Sequence, residues 1–124
     1  MIDAMKKRIL AVDDNPIILR SIKQILDEKY DVYLATSGER ALEMTTNNIF
    51  DLILLDYEMP GMSGKDTICE FRKRPVTEQT PVIFLTGIAD KEKIIEVAAF
   101  NPSGYILKPI DADLLLSRIK GAIG

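Results

Sequence analysis

Apolar residues fall in short runs separated by stretches of helical period. Residues 8–12, RILAV, 51–55, DLILL, and 81–85, PVIFL, are near-continuous apolar runs of strand length. YDVYLA at 30–35 alternates, as a strand near a sheet edge does, and GYIL at 104–107 reads as a fifth short strand. Between the first two, NPIILRSIKQILDEK places Ile18, Ile22 and Ile25 at i, i+4 and i+7, with Leu19 and Leu26 beside them, which predicts a helix. SGERALEMTTN predicts a second helix, with Thr36 and Glu39 at capping-box spacing. The spacing of Ile68 and Phe71 predicts a third helix over about 64–73. Asp90 is placed to cap a fourth, carrying Ile94, Ile95, Val97 and Ala98, and Asp111 to cap a last, with Leu115, Ile119 and Ile123 on one side.

The pattern is a strand–helix unit repeated five times. Runs 1, 3 and 4 are apolar on both faces, as in a parallel sheet covered by helices on each side, so the fold class is a doubly wound α/β sheet. No linker, repeat or low-complexity tract interrupts it, and one domain is expected over residues 1–124, with an ordered core of about 7–123.

Composition narrows the chemistry. Of the 124 residues, 47% are apolar, enough for a buried core. The net charge of −3 comes with no basic patch beyond KKR at 6–8, so no direct nucleic-acid binding is expected of this chain. No apolar run approaches the ~20 residues of a membrane span, and the N-terminus lacks a signal-peptide core, so a cytoplasmic location is expected. Cys69 is the sole cysteine, which excludes an internal disulfide and a cysteine zinc cluster. The absence of histidine excludes Ser-His and Cys-His nucleophile pairs.

In open parallel sheets, ligands bind beyond the carboxyl ends of the strands. The first run leads into Asp13-Asp14, the third into Asp56, the fourth into Thr86 and the fifth into Lys108. Each has an ordinary explanation: aspartates form turns and helix caps, a threonine before glycine turns the chain, and a lysine before proline is commonly solvated. Asp14 or Asn15 could cap the helix that starts at Pro16, which still leaves a carboxylate to explain. Together, three carboxylates, a hydroxyl and an ammonium on one predicted edge suit a hard cation such as Mg²⁺ and an incoming phosphoryl group. A carboxylate there could act as nucleophile and form an aspartyl phosphate.

AVDDNP, LLDYEMPGMSG, VIFLTG and GYILKP, in this order and spacing, resemble the signature blocks of response-regulator receiver domains of two-component signalling. The resemblance covers essentially the whole chain and is chemotaxis-regulator-like. It implies a five-stranded, flavodoxin-like sheet of order 2-1-3-4-5. It implies that Asp56 is the phosphoacceptor, Asp14 a direct Mg²⁺ ligand, Asp13 a ligand through water, and the Glu58 backbone carbonyl a further ligand. Lys108 would contact the phosphoryl group, with Pro109 behind a cis bond. Thr86 would be the switch hydroxyl and Tyr105 the switch aromatic, and the output surface of helix 4, strand 5 and helix 5 would include Lys91 and Ile95. Glu58 and Gly87 would tune the phosphoryl lifetime. The implied partners are a sensor histidine kinase or phosphotransfer protein and a downstream protein or output domain, with room for a phosphorylation-dependent homodimer. Pro102 in NPS departs from the family's usual glycine-alanine turn and stiffens the loop entering strand 5.

Three other functions compete. A phosphatase of the haloacid-dehalogenase type also has an acid two residues after its nucleophile, as in DYE at 56–58, but this chain has no cap domain. A nucleotide or flavin binder needs a glycine-rich loop after strand 1, where this chain has DDNP. A receiver that acts only by docking would not need all five side chains. A free-standing receiver and a receiver from a longer regulator both fit the sequence.

Overall fold

The structure, a computed structural model, describes residues 6–87 and 91–124. Strands and helices alternate: β1 (Arg8–Val12), α1 (Pro16–Leu26), β2 (Asp31–Ala35), α2 (Gly38–Asn47), β3 (Leu52–Asp56), α3 (Gly64–Arg72), β4 (Val82–Thr86), α4 (Lys91–Ala98), β5 (Gly104–Leu107) and α5 (Ala112–Ile123). The strands form one parallel sheet of order β2-β1-β3-β4-β5, as expected.

The period of two in each strand splits the core. Ile9 and Ala11 of β1, Leu52 and Leu54 of β3, and Ile83 and Leu85 of β4 pack with Leu19, Ile22 and Leu26 of α1 and Leu115 and Ile119 of α5. Their neighbours Leu10, Val12, Ile53, Leu55, Val82 and Phe84 pack on the other face with Ala41 of α2, Ile68 and Phe71 of α3 and Val97 of α4. Each fully buried Leu or Ile contributes about 1.5–3 kcal/mol relative to exposure. Both faces of β3 are buried, so its register is set by the packing of particular side chains and by the acid at its end rather than by an apolar–polar alternation.

Local sequence sets where the helices begin. Asn15 caps α1, its side chain accepting from the Ile17 N–H, with Pro16 at the first helical position. That assigns the cap to Asn15 and leaves Asp14 out of it. Helix α1 stops at Leu26, short of the predicted span, because the chain turns there to bury Tyr30 before β2. Thr36 and Glu39 do not form a capping box. Ser37 is the cap instead, accepting from the Arg40 N–H, and Glu39 sits in the first turn. The reciprocal box belongs to α3, between Ser63 and Asp66. Asp111 caps α5. The expected cap of α4, Asp90, lies outside the described residues. Helix α4 buries Val97, whereas Ile94, Ile95 and Ala98 face solvent, so its apolar face is narrower than its sequence suggests.

Candidate functional site

The strands deliver polar residues to one edge. Asp13 follows β1 and is fully buried; its backbone N–H donates to Ala35 O, which extends the β1–β2 ladder by one step. Asp56 and Thr86 are the last residues of β3 and β4, one position further along than the apolar runs suggest, and both are buried. The ladder carries through them: the Tyr57 N–H donates to Leu85 O at 2.9 Å and the Lys108 N–H to Thr86 O at 2.8 Å. Lys108 thereby leaves β5 beside the site, and the peptide bond to Pro109 is cis.

The side chains converge. Carboxylate oxygens of Asp13, Asp14 and Asp56 lie within 4.8 Å of one another. Lys108 Nζ is 2.9 Å from Asp13 Oδ2 and 3.2 Å from Asp56 Oδ1. Asp13 Oδ1 accepts from the Asn15 N–H, and Asp56 Oδ1 from the Glu58 N–H at 3.3 Å. Asp13 Oδ2 is buried, and its contact with Lys108 is an ion pair without hydrogen-bond geometry. Three carboxylates around one ammonium leave negative charge in excess, and all the donors are oxygen. This set fits a hard divalent cation, so the cluster could hold a metal.

The electrostatics follow from burial. Desolvation and the Asp13 charge push the Asp56 carboxyl up to about 6, while Lys108 and the Glu58 N–H pull in the opposite direction. Burial opposes the charge on Lys108, but the adjoining Asp13 and Asp56 carboxylates outweigh it and hold its pKa above the usual lysine value.

Gly64 is a site residue that the strand-end reading passed over. A Cβ built on it would stand 2.4 Å from Asp56 O and 2.8 Å from Tyr57 Cα, so the start of α3 closes on the Asp56 backbone because residue 64 has no side chain. The second glycine of PGMSG is its sequence signal. Glu58 turns its carboxylate to Lys93 of α4, a pairing with no local signal.

The remaining candidates lie apart from the carboxylates. Tyr105 is half-buried on β5, its ring stacked on Phe84 at 6.0 Å and its hydroxyl 3.5 Å from Ile94 O. Lys91 and Ile95 are exposed on α4, Ile95 at 72%, so Ile95 is not a core residue.

The response regulator receiver domain family model matches residues 9–120. A probable cyclic di-GMP phosphodiesterase of Vibrio cholerae is 39% identical over 96% of this chain, which covers 27% of that protein. The regulatory protein VanRB of Enterococcus faecalis is 31% identical over 96% of this chain and 53% of its own length. The chain therefore spans about a quarter to a half of these curated relatives. The solved structure of the Vibrio cholerae chemotaxis protein CheY4 superposes with a TM-score of 0.91 at 30% identity, over 94% of this chain and 98% of that one. Fold, carboxylate edge and family match coincide: the chain belongs to the response regulator receiver domains, the phospho-accepting signalling modules of two-component systems.

Proposed function

We propose that Asp56 is the phosphoacceptor and that Asp13, Asp14, Asp56 and the Glu58 backbone carbonyl hold Mg²⁺. The observation that carries this reading is the placement of Asp56: buried at the end of β3, in contact with Lys108 and within reach of Asp13 and Asp14. The bound ion would neutralise charge on the carboxylates and on the phosphoryl oxygens. A carboxylate oxygen of Asp56 forms the O–P bond as the bond from phosphorus to the donor breaks, and the donor leaves with that electron pair. With a histidine kinase or phosphotransfer protein the leaving group is an imidazole. Lys108 offsets charge on the transferred group, and the Thr86 hydroxyl donates to one of its oxygens. Such contacts favour one arrangement of the molecule over another, which is what a switch requires. Tyr105, Lys91 and Ile95 belong to the responding surface, offered to a downstream protein, an output domain or a second phosphorylated copy. The phosphodonor and this chain meet in the cytoplasm.

The test is incubation with acetyl phosphate, with and without Mg²⁺, followed by intact mass for wild type and Asp56→Asn. A phosphoryl adduct that needs Mg²⁺ and disappears in the variant is expected. An adduct that survives Asp56→Asn would move the nucleophile elsewhere.

A further inference from the structure

Of the five helices, α4 buries the fewest described residues, Val97 alone. Beyond Val97, the contacts that fasten it are largely polar. Lys93 Nζ pairs with Glu58 Oε1 and lies over the Tyr57 ring, 5.4 Å from its centroid. One turn later, Glu96 accepts from Lys65 Nζ at 2.7 Å and from the Tyr57 hydroxyl at 3.0 Å. Lys93 and Glu96 are three apart and share a helix face. Their partners Tyr57 and Glu58 directly follow Asp56, and Lys65 lies in the first turn of α3. The Tyr57 ring meets Phe84 edge-on at 5.8 Å, and Phe84 stacks on Tyr105, whose hydroxyl comes back to the α4 backbone. These contacts leave α4, pass along the strand ends and return to it.

We propose that Lys93 and Glu96 are positioning residues that clasp α4 to Tyr57 and Glu58, and that the clasp opens when the α4–β5 surface rearranges. Exposed ion pairs are individually weak and screened by salt. Here they act on a helix with one buried side chain, so they carry a large share of its attachment. The direction of coupling rests on Asp56 being the phosphoacceptor; the clasp itself rests on the contacts alone. Linkage is reciprocal: if a phosphoryl group favours the open clasp, opening the clasp favours the phosphoryl group.

Hydrogen–deuterium exchange of the whole unphosphorylated chain tests the clasp. In Lys93→Met with Glu96→Gln, α4 amides are expected to exchange about fivefold faster, with β1 and β3 unchanged. Raising NaCl from about 0.05 to 0.5 M does the same to wild type and little to the variant. The swapped pair, Glu58→Lys with Lys93→Glu, returns exchange toward wild type. Unchanged α4 exchange in the double variant overturns the clasp, as does acceleration spread evenly over the chain. The coupling is read with beryllium fluoride and Mg²⁺, a reversible phosphoryl mimic, which the double variant is expected to bind about threefold more tightly. Equal affinity overturns the coupling. Failure of the wild type to bind the mimic would count against Asp56 as acceptor, and exchange would still decide the clasp.

Discussion

Asp56 sits where a carboxylate is least comfortable, buried beside another acid. Its carboxyl is pushed to about 6, from 3.8 for an unperturbed aspartate. Between those values the folded chain retains a proton that the unfolded chain has released. Stability therefore falls as pH rises through this window, and the full penalty stands above about pH 6. Asp56→Asn removes the charge. The metal-free variant is expected to be more stable than wild type at about pH 7.5, by up to about 3 kcal/mol, with the gap closing near pH 4. Urea denaturation in chelator at both pH values checks this, and equal stability at the higher pH would refute the charge-strain account. The acids, Thr86 and Lys108 were legible because each ends or follows an apolar run. Lys93 with Glu58 and Lys65 with Glu96 were not, because 35 and 31 residues separate the partners and isolated surface charges carry no pairing signal.

At the scale of elements, every predicted strand and helix was found, because a period of two or 3.6 survives small errors of boundary. The misplacements have local causes. Ser37 takes the cap of α2 because its hydroxyl, rather than that of Thr36, reaches the Arg40 N–H. The exposure of Ile94 was illegible because apolar residues are not obliged to be buried, and that of Ile95 was expected only through the family resemblance. The junction of β3 and α3 yields a test. Alanine is the better helix former by about 1 kcal/mol, yet at position 64 its Cβ would stand 2.4 Å from Asp56 O. Backbone cannot yield as a flexible side chain does, so Gly64→Ala is expected to lose about 2 kcal/mol net. A urea titration measures this, and a neutral or stabilising result would mean that α3 can move away from Asp56.

The molecule as a whole registers the metal through linkage. A cation that binds the folded chain alone raises its stability by about 1.4 kcal/mol at ten times its dissociation constant. The thermal midpoint is expected to rise with Mg²⁺ concentration in wild type and to stay nearly flat in Asp13→Asn. Below about pH 6 the gain shrinks as protons compete at Asp56. A wild-type midpoint indifferent to Mg²⁺ would refute the metal site. Strand order bears on synthesis too. In space β1 lies between β2 and β3, whereas Lys108, beyond β5, is translated long after Asp13 and Asp56. A nascent chain that has not yet extruded residue 108 would have to bury the two acids without their ammonium. Like-charge repulsion then opposes closing that edge, so the carboxylate cluster gains its ammonium only when the last strand has joined the sheet.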